Sequence, residues 1–134
     1  MNEPDFTRAV HKKIPVDSVW VWKICDAYMG GIPDAYYRHR KTGGALWVEY
    51  KYLKSLPKLN STKITPNLSA LQRKLLRETV ESGQKACVIV GFKNTGVVFE
   101  NVDEWESGIE KSEFEKRSLS YKELAEYITY KVSY

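Results

Sequence analysis

The sequence predicts one α/β domain, a mixed central β-sheet flanked by helices in the order α, β, β, β, α, β, β, α. Three observations carry that prediction. The chain has 134 residues, enough to bury one core and too few for two enzymatic domains. Five short segments rich in Val, Trp and Tyr have the composition and length of strands. Around them, apolar residues recur at helical spacing in three places.

The first helix is expected over 3–13, stopped by Pro15, with Phe6, Val10 and Ile14 on one stripe. Residues 18–25 (SVWVWKIC) read as a strand, followed by a turn at Tyr28-Met29-Gly30-Gly31. Residues 34–39 (DAYYRH) and 45–52 (ALWVEYKY) are the second and third strands. The loop between them holds paired glycines, so the two should form a hairpin. Residues 53–66 (LKSLPKLNSTKITP) show no period, and a loop of that length tends to be functional. A helix is expected over 67–82, with Asn67 as N-cap and Gly83 as its stop. Leu68, Leu71, Leu75, Leu76 and Thr79 share its apolar arc, and Gln72 falls inside that arc. An amide there needs partners. Residues 85–92 (KACVIVGF) read as a central strand and 95–100 (TGVVFE) as its neighbour. Residues 103–117 read as a charged loop with a helical turn. Ser120 and Glu123 fit a capping box for a last helix over 121–130.

Composition narrows the function classes. Hydrophobic residues make up 43% and charged residues 28%, which excludes a disordered or low-complexity chain. No apolar run approaches the roughly 18 residues of a membrane span, and the polar, acidic start MNEPDFTRAV does not read as a secretory signal. Cys25 and Cys87 form no disulfide framework, so a reducing compartment, the cytoplasm, is expected. The net charge of +4 is unevenly spread. Residues 1–93 carry 16 Lys and Arg against 8 Asp and Glu, whereas 94–134 carry 5 against 9. The core of the domain is expected over about 18–100, with an acidic extension over about 101–134. A basic body points to a polyanion, nucleic acid first.

Phosphate-cradling glycine loops, CxxC pairs, HExxH and GxSxG are all absent, and His11 and His39 have no Cys or His beside them. One constellation stands out. Asp34 follows Pro33, and Glu49-Tyr50-Lys51 follows about 15 residues later. Residues two apart on a strand share a face, so Glu49 and Lys51 point the same way. In the hairpin, Asp34 comes from the neighbouring strand. Two adjacent carboxylates repel unless a cation lies between them. Mg²⁺ (with Mn²⁺ able to substitute) takes one or two protein carboxylates and keeps waters and phosphate oxygens. A main-chain carbonyl near Tyr50 would add a ligand. Lys51 would orient the attacking water or offset phosphorane charge, and the chemistry would be metal-assisted phosphodiester hydrolysis.

The set GIPD, WVEYK and the helix glutamine of LSALQRKLL resembles the PD-(D/E)XK nuclease superfamily over roughly residues 20–92. Gly31 and Gln72 are similar to features of its VRR-NUC branch, and small stand-alone members, common in phages, include Holliday-junction-resolvase-like nucleases. The resemblance implies a restriction-endonuclease-like core. It implies Asp34 and Glu49 as metal ligands, Lys51 as the catalytic lysine and Gln72 as a residue contacting the site or substrate. Many relatives carry a further acid on the first helix; only Glu3 and Asp5 are available there, while Asp17 and Asp26 fall in loops.

The expected function is therefore a divalent-metal-dependent DNA endonuclease acting on branched or structured DNA. Arg38, Arg40 and Lys41 near the hairpin tip, with Lys54, Lys58 and Lys63 in the following loop, would grip the backbone. A homodimer would suit symmetric cleavage of a junction. Two other readings stay open: an inactive nucleic-acid-binding module of the same fold, and a protein-interaction adaptor. Singly, each site residue also has a plain structural reading. Asp34 is a turn residue after proline, Glu49 and Lys51 an exposed strand pair, and Gln72 an amide bonded to a loop.

Overall fold

Strong β-formers with little Gly or Pro fill the segments that become the sheet. In the computed structural model, which describes residues 1–25 and 30–134, β1 (Val19–Lys23), β2 (Ala35–His39) and β3 (Ala45–Leu53) form an antiparallel meander. Helix α2 (Ala70–Glu81) then crosses over, so that β5 (Ala86–Phe92) pairs parallel to β3. Strands β6 (Thr95–Phe99) and β8 (Leu119–Ser120) complete a six-stranded sheet of order β1-β2-β3-β5-β6-β8. The expected mixed sheet, hairpin and element order are all present. The expected turn at Tyr28 and Met29, and Asp26 with it, lie outside the described residues.

Helices α1 (Glu3–His11) and α5 (Tyr121–Val132) cover one face of the sheet. Phe6, Val10 and Ile14 are buried as their spacing requires, and Leu124, Ala125, Ile128 and Val132 meet them. The other face packs Leu76 of α2, Trp105 of α3 (Val102–Ser107) and Phe114 of α4 (Lys111–Lys116) against Val88, Val90, Val97 and Phe99. Strand β5 feeds both cores, which is why it is apolar throughout.

Three expectations need correction. The loop over 53–66 contains a two-residue strand, β4 (Lys63–Ile64), paired with β7 (Ile109–Glu110). Two residues are too few to show a period. The segment 103–117 is two short helices rather than a loop; each buries one aromatic residue, so neither has an apolar stripe. Helix α2 is capped by Ser69, not Asn67, which instead adopts φ +52° two residues earlier. Residues 101–134, acidic as they are, contribute β8 and α5 to the same sheet and core.

The placement of α1 depends on a facing pair of glycines. Gly91 on β5 lies opposite Gly96 on β6. The missing side chains leave a slot that holds the fully buried Phe6 ring; a Cβ would come within 2.8 Å of that ring from Gly91 and 2.7 Å from Gly96. A second tie is polar. His11 Nε2 meets the Tyr37 hydroxyl at 2.7 Å, and Tyr37 meets the Tyr50 hydroxyl at 2.5 Å. Burial and the neighbouring Lys23 push His11 down to about 4, so the ring stays neutral in this network. Gly91→Ala should therefore cost about 1–3 kcal/mol by overpacking the slot. Urea unfolding at neutral pH measures this; an unchanged midpoint would show that Phe6 is not held there.

Candidate active site

The site forms where β2 begins and β3 nears its end. Register brings it together: Ala35 pairs with Val48, so the next step outward sets Asp34 beside Glu49 on one sheet face. Asp34 Oδ2 accepts the Tyr50 main-chain N–H at 2.8 Å, which fixes the carboxylate against β3. The Tyr50 side chain points to the opposite face, into the first core. Only the main chain of Tyr50 borders the site.

Two turns of sequence-coded geometry bring α2 to the carboxylates. Gly31 has φ +94°, and a Cβ there would lie 2.6 Å from the Leu71 side chain and 3.0 Å from its main-chain carbon. Glycine lets the loop before Pro33 and Asp34 press onto the first turn of α2. Leu71, expected on the apolar arc, is 43% exposed beside this loop. Within α2, Ser69 and Gln72 form a reciprocal capping box. Gln72 Oε1 accepts from the Ser69 N–H at 2.9 Å and also from Lys51 Nζ at 3.1 Å. Its Nε2 donates to Glu49 Oε2 at 3.1 Å. The amide inside the apolar arc thus has its partners, and they are the other residues of the constellation.

Glu49 is 2% exposed, so it is not a solvent-facing member of a strand pair. Its Oε1 is buried and accepts no hydrogen bond. Burial first, then the charge of Asp34 and a hydrogen bond to it, push Glu49 up to about 9. Lys51 opposes that shift. Burial and the facing carboxyl group therefore both disfavour a charge on Glu49 as it stands. An orphaned, buried carboxylate oxygen facing a second carboxylate is a donor set suited to a hard divalent ion.

Glu3, one of the two acids the sequence offers on the first helix, sits in the first turn of α1. Burial and Asp34 raise it while Lys51 lowers it, so it lies within electrostatic range of the site. No local sequence signal marks this, because the proximity comes from how α1 docks. Among the described residues, no group of three or more His, Cys, Asp or Glu is close enough to hold a metal ion together. The carboxylate pair stands by itself, and Glu3 stands apart from it.

The expected backbone-gripping cations are not gathered in one place. Arg38 is exposed, with its guanidinium 5.2 Å from the Trp20 ring centroid. Arg40 Nε donates to the Val16 carbonyl at 2.9 Å, and Lys41 is exposed at the hairpin tip. The tip is separated from Asp34 by the length of β2, roughly 17 Å. Lys54 is exposed just beyond the C-terminal end of β3. Lys58 is exposed in the loop, and Lys63 lies in β4 opposite Glu110.

No protein-family model matches the chain, and no curated protein matches it in sequence. Among solved structures, the fold is similar to the Holliday junction resolvase Hjc of the archaeal hyperthermophile Archaeoglobus fulgidus. The TM-score is 0.59 at 18% sequence identity, over 91% of this chain and 98% of the resolvase. The sheet and its flanking helices therefore have a resolvase-like fold. No helix among the described residues is long and apolar enough to cross a membrane.

The raised carboxyl sets a stability signature. The folded chain keeps a proton on Glu49 that the unfolded chain releases above 4.5. Its contribution is present below that value and is lost as pH rises toward about 9. In EDTA, urea midpoints should fall between about pH 6 and about pH 8.5, and Glu49→Gln should flatten that decline. Added Mn²⁺ should raise the wild-type midpoint most at the higher pH. An equal decline in the Gln variant would remove Glu49 as its source.

Proposed function

We propose that this protein is a divalent-metal-dependent nuclease of the PD-(D/E)XK type that cuts phosphodiester bonds in branched DNA as an endonuclease. One observation carries the reading: Asp34 and Glu49 face each other beside Lys51, and Gln72 ties the lysine to the buried carboxylate. The resolvase-like fold supports it, since the structural neighbour is a Holliday junction resolvase. Gly31 and Gln72 support a place near the VRR-NUC branch.

Asp34, Glu49 and the Tyr50 main-chain carbonyl would hold Mg²⁺ or Mn²⁺. When bound, such an ion polarises the scissile phosphate and lowers the pKa of a coordinated water. The chain's own groups do the rest. A bound cation would favour the charged form of Glu49. Gln72 accepts from Lys51 Nζ and keeps the ammonium beside Glu49 rather than free in solvent. Held there, Lys51 orients the attacking water and offsets charge that develops on the phosphoryl oxygens. Lys54, followed by Lys58 and Lys63, holds backbone phosphates beyond the site. A junction offers two equivalent strands, so a second copy of the chain would supply the second cut.

Cleavage of a four-way junction should require Mg²⁺ or Mn²⁺ and stop in EDTA. Asp34→Asn and Lys51→Ala should each lower the rate by about 100-fold or more. Gln72→Ala should lose less, in kcat rather than KM, because it acts through Lys51. Gel assays across linear, nicked, flapped and four-way substrates measure this. Wild-type protein that binds the junction but cuts none of these with either ion would favour the inactive binding module. Replacing Lys54, Lys58 and Lys63 together should flatten the salt dependence of binding.

A further inference from the structure

The sheet face that carries Asp34 and Glu49 continues, toward β1, as a surface of aromatic rings. Register sets Trp22 opposite Tyr36 and Tyr36 opposite Trp47, a row running across three strands. Trp20 lies beside Trp22, their planes 28° apart at a centroid distance of 6.1 Å, and opposite Arg38, whose guanidinium stands over the Trp20 ring. Tyr36 and Trp47 touch at 4.6 Å between centroids. The carboxylate pair sits two residues farther along the same strands, roughly 7 Å away.

These rings are not core. Trp22 is 48% exposed, and Trp20, Tyr36 and Trp47 are half-buried. The second core packs over β5 and β6 and reaches Trp47 at its margin, so no described residue of that core covers the β1–β2 half of this face. Burying so much aromatic surface would stabilise the monomer, yet the fold leaves it in water.

Charge decides between occupants. On this face of β1 and β2 the one charged residue described, apart from Asp34 itself, is Arg38. Two copies meeting here would bring two guanidinium groups together, whereas a polyanion would neutralise one. Where the row reaches Trp47 it opens on a groove of about 450 Å³ walled by Ile32, Pro33, Leu75 and Thr79, with Glu78 on its rim. An acid at the rim repels a phosphate, so the groove suits a base and not the backbone.

We infer that the Trp20–Trp22–Tyr36–Trp47 face is a stacking platform for unpaired bases of single-stranded DNA next to the cleavage site. Every base has an apolar π-face, so such a platform binds without reading sequence, and Arg38 adds a cation for the backbone. The inference rests on the nuclease reading for its substrate, and it deepens it. The preferred DNA would be a branch whose strands carry unpaired nucleotides, laid across the aromatic row with the scissile phosphate over Asp34 and Glu49.

The test is binding of a labelled oligothymidylate of roughly twelve nucleotides in EDTA, followed by fluorescence anisotropy. Trp22→Ala and Tyr36→Ala should each weaken it by about fivefold or more, and Trp22→Phe should restore most of the loss. An oligonucleotide of abasic sites, with the same phosphates and no bases, should bind more weakly and not distinguish these variants. Equal binding of the two oligonucleotides by wild type would overturn the platform. So would a wild-type dimer that Trp22→Ala dissociates with its oligothymidylate affinity unchanged, since the face would then belong to a second copy. Pairing this metal-free binding assay with cleavage in Mg²⁺ or Mn²⁺ separates the two readings: base-dependent binding in EDTA with no cleavage when either ion is added keeps the platform and ends the nuclease, and ion-dependent cleavage without base-dependent binding does the reverse.

Discussion

A buried carboxyl group set against a second, half-buried one is the constraint around which this structure is arranged. Asp34 and Glu49 are neighbours in register, and Glu49 is almost wholly buried with one oxygen unpartnered. Leaving such an oxygen without a partner costs about 1–3 kcal/mol, more if it is charged. A fold optimised for stability alone would place an apolar residue there. Strand β3 keeps an acid instead, between buried Val48 and Tyr50. The surrounding elements reduce the penalty without removing it. Tyr50 donates its N–H to Asp34, Gln72 donates to Glu49, and Lys51 supplies the nearby positive charge.

Gln72 shows how closely scaffold and site are joined. One amide completes the cap of α2, accepts from the ammonium and donates to the carboxylate. The cap fixes where the helix starts, and the helix start fixes where the amide sits. Gly31 provides the matching contact from the strand side, because any side chain there would push the loop off the Leu71 backbone. Helix α2 therefore cannot slide without disturbing both its own first turn and the charge cluster. Phe6 plays a comparable role on the far face. Its slot between Gly91 and Gly96 seats α1, and α1 in turn sets Glu3 within range of Asp34.

The readable parts of this architecture were those with a period. Alternation along β3 put Glu49 and Lys51 on one face, and the helical stripe of α2 marked Gln72 as an amide on the wrong side of an apolar arc. The hairpin followed from its glycines. What escaped was short or remote. Strands β4 and β7 hold two residues each, and α3 and α4 bury a single aromatic apiece, so none repeats anything. Ser69-x-x-Gln72 is a capping signature in plain view, but Asn67 competed with it and the dihedral that disqualifies Asn67 is not written in the sequence. Glu3 is the remote case. Its neighbours lie some 30 and 50 residues away, and no pattern within α1 reports where the helix will dock.

The distribution of charge and aromatic surface then acquires a single explanation. Basic residues alone would bind any polyanion, and an acidic cleft alone would repel it. Here the buried Glu49 is tied through Gln72 to an ammonium, and under the proposed function a DNA strand would meet exposed lysines and aromatic rings before it meets that carboxylate. On the face that carries the acids, the β1–β2 half lacks, among the described residues, the helical cover that the β5–β6 half receives from α3 and α4. An open half-face exposes rings at a cost in solubility, and under the proposed function it also leaves room for a flat base beside the acids. The same asymmetry that weakens the monomer's packing opens its proposed site to a substrate.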